Sequence, residues 1–268
     1  MPGVILAMLD HPEAATGLLT AARRLAELAG GARINVLVAR VPPASTILST
    51  EEVLTRDKAA RLRAGETARS AALRAIFDSW IATDGRAEWL DIEAGARDLV
   101  LEWGRRADLI VLERPGQHQY GTAWQALPAA LFDTDRPVVI IPPIPAPPFG
   151  QRVAIAWRDD PHATRAVLSV LRYTTPGIDI HLLAGVRPDS RKPHIPAILL
   201  EHGVTAHLET IPIGDGPFGP TLLARARAIG ADMLVMGAYA HSPWRQLILG
   251  GVTRWMLAHA DLPVLMRH

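Results

Sequence analysis

The chain repeats itself, and the repeat limits the folds open to it. Ala7-Met8-Leu9-Asp10-His11-Pro12-Glu13-Ala14 aligns with Ala156-Trp157-Arg158-Asp159-Asp160-Pro161-His162-Ala163, sharing Ala, Asp, Pro and Ala at the same places. Each copy follows an apolar run, Val4 to Leu6 in one and Val153 to Ile155 in the other. Further on, Ala107-Asp108-Leu109-Ile110-Val111-Leu112 matches Ala231-Asp232-Met233-Leu234-Val235-Met236, and Asp135 to Ile140 matches Asp261 to Met266. Three matched blocks in one order predict two copies of a single domain.

Length and composition accommodate both copies. With 268 residues, 49% of them hydrophobic and 21% charged, the chain can bury two ordinary cores of about 100–150 residues each. Proline marks the boundary. The stretch Pro142 to Gly150 cannot continue a helix or strand, which predicts a first domain over 1–143, a stiff linker over 144–150 and a second domain over 151–268.

Short apolar runs alternate with longer amphipathic ones along each copy, the pattern of helices crossing between parallel strands. In the first copy, strands are expected at Val4 to Met8, Arg33 to Val41, Glu88 to Ile92, Ala107 to Leu112 and Pro137 to Ile141. Helices are expected at Ala14 to Ala29, Glu51 to Ile81, Arg97 to Arg106 and Trp124 to Phe132. The second copy predicts strands at Val153 to Trp157, Asp179 to Ala184, Val204 to Ile211, Met233 to Gly237 and Pro263 to Met266. Its helices fall at Ala163 to Tyr173, Pro193 to His202, Thr221 to Ile229 and Gly251 to His259. The fold class is therefore α/β: two tandem copies of a five-stranded, mostly parallel sheet with helices on both faces. Ligands of such sheets sit beyond the carboxyl ends of the strands, where the strand order reverses.

Several function classes lose support on composition and pattern. A formal charge of +1 with dispersed Arg and Lys argues against nucleic acid as a partner. No apolar run approaches the roughly 20 residues of a membrane helix, and Asp10, His11 and Glu13 interrupt the opening stretch before a signal peptide forms. There is no cysteine, hence no disulfide and no thiolate metal site. A cytoplasmic location is the expectation. No phosphate-binding lysine loop, nucleophile elbow or paired helical histidines are present, so no catalytic residue is assigned. The ten histidines are scattered, with His194, His202 and His207 the nearest to a group, and no metal site is expected.

One segment carries the chemistry. The apolar run Met233 to Met236 ends at Gly237, Ala238-Tyr239-Ala240-His241-Ser242 comes next, and Gly250-Gly251-Val252-Thr253 opens the last helix. Backbone N–H groups at such a helix start face an anion readily. Gly250 and Gly251 either receive phosphate or only shape a tight turn, and His241 either reaches phosphate or faces solvent.

This spacing resembles the nucleotide-binding signature of the universal stress protein (UspA-like) family: a glycine, two residues, a glycine, nine residues, then glycine and a small residue. Gly237 fills the first position, Ala240 stands where the second glycine is expected, and Gly250-Gly251 fill the last pair, continued by Val252-Thr253. The resemblance implies an adenine nucleotide alpha hydrolase-like, Rossmann-like fold of the tandem two-domain type. It also implies that ATP or another adenine nucleotide, with or without magnesium, is bound in the second copy. Ala156, Trp157 and Arg158 would lie beside the base and ribose, Leu183 and Ala184 beside the base, and Met236, Gly237, His241, Gly250, Gly251, Val252 and Thr253 around ribose and phosphates. The family's aspartate after strand one is here Arg158, with Asp159 one place later.

The first copy lacks the glycine pair, and Glu113 stands where Gly237 stands in the second, opposing an anion. One nucleotide per chain is the consequence. The leading function is a stress-response regulator whose nucleotide occupancy alters association with protein partners. The alternatives are a nucleotide-independent interaction scaffold and, more weakly, a slow nucleotide hydrolase. The terminal strands Val138 to Ile141 and Val264 to Met266 are apolar edges, which predicts an intramolecular pseudo-dimer through their pairing, with a homodimer of whole chains as a further expectation.

Overall fold

A computed structural model describes residues 3–45, 55–82, 86–115, 122–143, 148–173, 177–238 and 251–268. The first half runs β1 (Val4–Leu9), α1 (Pro12–Leu28), β2 (Arg33–Arg40), α2 (Arg56–Ile81), β3 (Ala87–Glu93), α3 (Ala96–Gly104), β4 (Leu109–Glu113), α4 (Thr122–Asp133) and β5 (Val138–Ile141). The second runs β6 (Arg152–Trp157), α5 (Pro161–Val170), β7 (Asp179–Val186), α6 (Ala197–Glu201), β8 (Ala206–Pro212), α7 (Phe218–Ala228), β9 (Met233–Gly237), α8 (Gly251–His259) and β10 (Val264–Arg267). None of the helices among the described residues is long and apolar enough to cross a membrane.

The strands form one sheet of ten in the order β3-β2-β1-β4-β5-β10-β9-β6-β7-β8. Every pairing is parallel except the central one, where β5 and β10 run antiparallel with Val139 opposite Leu265. Each half is thus a set of parallel crossovers, and the two halves join along strands that carry no charge until Arg267. Alternation with period two feeds two separate cores. Ile5, Ala7, Leu9, Val111, Ile155 and Val235 face α1, α2, α5 and α6, whereas Leu6, Met8, Ile110, Leu112, Ala154 and Leu234 face α3, α4, α7 and α8. Central strands buried on both faces read as continuous apolar runs for this reason.

Local chemistry sets the element ends. Asp160 caps α5, its carboxylate accepting the backbone N–H groups of His162 and Ala163 at 3.0 Å, and Pro161 occupies the first turn where its missing N–H is harmless. Helix α6 covers only Ala197–Glu201 rather than the expected Pro193 to His202, because Pro196 is extended and a residue preceding proline is driven out of the helical region. Helix α7 starts at Phe218, before the expected Thr221, with Pro220 accommodated in its first turn. The expected start of α2 at Glu51 lies outside the described residues, as do 144–147 of the linker. The linker's last residues are anchored to the first half. Phe149 is buried, its carbonyl accepts from Arg24 Nε at 3.1 Å, and Gly150 at φ 89 sits where an added Cβ would meet Leu28 Cδ1 at 2.8 Å.

Candidate functional site

Strand β6 is the point at which the order of the second half reverses, with β9 on one side and β7 on the other. The carboxyl ends of these strands, with the starts of α7 and α8, enclose a cavity of about 300 Å³. Its walls come from the strand ends Ala156, Trp157, Arg158, Leu183, Gly185, Met236 and Gly237, from Arg187 and Ile213 just beyond β7 and β8, from Phe218 and Leu222 on α7, and from Gly251, Val252 and Thr253 opening α8.

Nine of the twelve residues assigned from sequence therefore converge there: Ala156, Trp157, Arg158, Leu183, Met236, Gly237, Gly251, Val252 and Thr253. His241 and Gly250, and with them Ala240, lie outside the described residues. Ala184 does not line the cavity. It belongs to the core facing α5 and α6, because successive residues of β7 point to opposite faces: Leu183 and Gly185 turn toward the cavity and Ala184 away. The same alternation explains Trp157, whose buried ring packs in the α5-side core while the residue borders the cavity from the strand end.

The floor is apolar and the rim cationic. Leu183, Leu222, Ile213, Phe218 and Met236 supply a surface suited to a flat heteroaromatic ring, and the exposed Arg158 and Arg187 stand at the mouth. Arg158 Nε is hydrogen-bonded to Asp160, which ties the arginine beside the helix cap. Among the described residues nothing lies within 4 Å of a Cβ added at Gly251, which lines the cavity at the first turn of α8. Gly185 is the reverse: a Cβ there would press on Ile213 Cδ1 and Phe218 Cζ, both at 2.9 Å. Gly185, Arg187, Ile213, Phe218 and Leu222 were missed by sequence reasoning. Only Arg187, a cation directly after a strand that ends at the switch point, carries a local signal; the others are ordinary apolar or small residues until the parallel register gathers them.

The corresponding edge of the first half is differently built. Glu113 ends β4 as Gly237 ends β9, and its buried carboxylate is hydrogen-bonded to His11 Nδ1. Asp10 accepts the Ala123 N–H at 3.0 Å and faces the Arg69 guanidinium at 3.6 Å, while Arg69 also donates to the Asp10 and Ala39 carbonyls. Burial pushes Glu113 up to about 7, against the opposing pull of His11 and helped by the Asp10 charge. Among the described residues, Asp10, His11 and Glu113 bring three ligand-type atoms within 4.8 Å of one another, a grouping that the scattered histidines of the sequence did not suggest. His207, by contrast, stacks on His181 at 5.0 Å, and His202 Nδ1 turns back to the Ile198 carbonyl.

Known proteins share this fold. The model of the universal stress protein family matches residues 208–268, the segment from β8 through β10 that contributes Ile213, Phe218, Leu222, Met236, Gly237 and the α8 start. No curated protein matches the sequence. Among solved structures, a universal stress protein from Archaeoglobus fulgidus is similar over 99% of this chain and 96% of its own, with a TM-score of 0.68 at 15% identity. A functionally unknown protein from Pseudomonas aeruginosa is similar over 99% of this chain and 92% of its own, with a TM-score of 0.61 at 14% identity. At such identities the likeness is one of fold, and it extends along the whole ten-stranded sheet.

Proposed function

We propose that this chain, a UspA-like protein by its family match over 208–268 and its fold, binds an adenine nucleotide in the second half and acts as a stress-response regulator through that occupancy. The observation that carries the proposal is the convergence of nine separately assigned residues on one cavity at the switch point of the sheet. The apolar floor takes the base. The α8 N-terminus, with Gly251 at its first turn and Arg158 and Arg187 at the mouth, takes the phosphates. In the first half, the buried Glu113 replaces the glycine at the same strand end, and its ionised form, present as pH rises through about 7, opposes a phosphate brought there. One nucleotide per chain is the result.

ATP at about 100 times its dissociation constant stabilises a single-site protein by about 2.7 kcal/mol, which for a chain of this size raises the melting temperature by about 5–10 °C. The Gly251→Val variant is designed to separate binding from folding: its side chain meets none of the described residues within 4 Å of Cβ, but it stands between backbone and phosphate. The expected result is a stabilisation by ATP that the variant loses while melting normally without ligand. An unchanged ATP response in Gly251→Val, or none in the native chain, refutes the assignment.

A further inference from the structure

We propose a second anion site, specific for a small phosphate-type oxyanion, in the cleft where the two halves meet. Its walls come from both: Arg136 and Pro137 ahead of β5, Arg165 on α5, Arg172 and Tyr173 just after α5, and Arg267 ending β10. The cleft exists only because β5 and β10 pair antiparallel, which sets the amino end of β5 beside the carboxyl end of β10.

Four guanidinium groups line this space of about 260 Å³, with Asp108 and Asp135 as the only carboxylates on its walls among the described residues. The space admits a phosphate or diphosphate, and its walls, unlike those of the other cavity, offer guanidinium groups in place of an apolar floor. The cations are poorly served by the protein itself. Among the described residues, Arg267 Nη1 and Arg136 Nε are buried with no hydrogen-bond partner, and Arg172 Nη1 stands 3.9 Å from Asp108. Arg165 donates to the His268 carbonyl at 3.3 Å and Arg136 to the Arg105 carbonyl at 2.9 Å, each a single bond from a guanidinium that carries five donors. Burial pulls the Arg267 pKa down and the Asp135 charge opposes this, while the Arg165 and Arg136 charges act with burial.

Among the described residues the counterion of Arg267 is Asp135, at 2.8 Å. That carboxylate is 85% exposed and sits on a residue at φ 54, a left-handed conformation uncommon for any residue but glycine, asparagine and aspartate. It occupies the place of an anion at the lip of the cleft and can swing into water. A multiply charged tetrahedral oxyanion supplies what the cluster lacks: several acceptors in the geometry that guanidinium forks match.

The test uses inorganic pyrophosphate and the full chain in titration calorimetry at low salt. One pyrophosphate per chain is expected, with affinity falling at least tenfold in the double variant Arg165→Ala, Arg172→Ala, both exposed positions. Asp135→Asn removes the competing carboxylate while keeping a residue that tolerates positive φ, and should raise affinity several-fold. All titrations are run in the Gly251→Val background, which closes the other cavity to phosphate, so that the heat reports this cleft alone. The proposal is independent of nucleotide binding and is overturned by no binding, or by unaltered affinity in the double variant or in Asp135→Asn.

Discussion

Leu265 is the residue on which the joining of the two halves can be tested most sharply. It lies at the middle of β10, is fully buried, faces Val139 across the antiparallel pair and contributes to the core shared with Val111, Val153 and Val235. Truncation to alanine removes three carbons from a site with fixed backbone on both sides, a change that costs about 2–5 kcal/mol. With a urea dependence of about 3 kcal/mol/M, appropriate to the upper end for single cooperative units, a loss of about 3 kcal/mol lowers the midpoint by about 1 M. Because β5 and β10 are adjacent strands of one sheet, the loss should be felt on both sides of the seam. Hydrogen exchange read by mass spectrometry along a urea series measures this peptide by peptide: β1 and β4 of the first half and β6 and β9 of the second should lose protection together, at a midpoint shifted equally. If only peptides from 151–268 shift while those from 3–143 keep the native midpoint, the halves are energetically separate and the shared-core argument fails.

Two further outcomes are expected. Glu113, raised by burial to about 7 from 4.5, holds a proton in the folded chain that the unfolded chain has released, so its contribution favours folding at low pH and is lost as pH rises through about 7. His11 is coupled to it: burial lowers its pKa, the Glu113 hydrogen bond and the charges of Glu113 and Asp10 raise it, and the pair titrates as a unit. Relative to the native chain, Glu113→Gln should therefore melt at progressively higher temperature as pH goes from 5 to 8; parallel melting curves across that range would contradict the assignment. Asp160→Ala removes the acceptor of two backbone N–H groups at the start of α5 and should cost about 1–2 kcal/mol in chemical denaturation, a near-zero change meaning that water caps the helix as well.

Much of the fold was legible because alternation and punctuation agreed. Strands β1, β4, β6 and β9 are built on apolar runs of four to six residues, Val4–Leu9, Leu109–Leu112, Val153–Trp157 and Met233–Met236, which recur in the same order in each half. Element ends set by proline were less so: Pro196 shortens α6, and Pro217 caps a helix that composition alone would start at Thr221. The site divides in the same way. Glycines at a strand end and a helix start announce themselves, as Gly237 and Gly251 did, whereas Ile213, Phe218 and Leu222 look like any core residue and acquire a role only through the register of β7 on β8 and the placement of α7. Ala184, expected beside the base together with Leu183, is one residue further along β7 and so faces the opposite core. The arginine cleft was illegible altogether, since Arg165 and Arg172 are distant in sequence from both Arg136 and Arg267, and the four meet only across the seam.

That seam also dictates an order of events during synthesis. β5 ends at Ile141 and its partner β10 begins only at Val264, so at roughly 5–20 residues per second the ribosome leaves β5 without its neighbour for about 6–25 s. In that interval the edge of the nascent first half is Val138-Val139-Ile140-Ile141, four apolar residues with no charge or proline among them to discourage pairing with another chain. β10 must emerge, reach back across the whole second half and insert between β5 and β9 before the edge is covered. The polypeptide is thus most vulnerable to misassembly while β5 has been made and β10 has not, and the four residues Val264–Arg267 end that exposure.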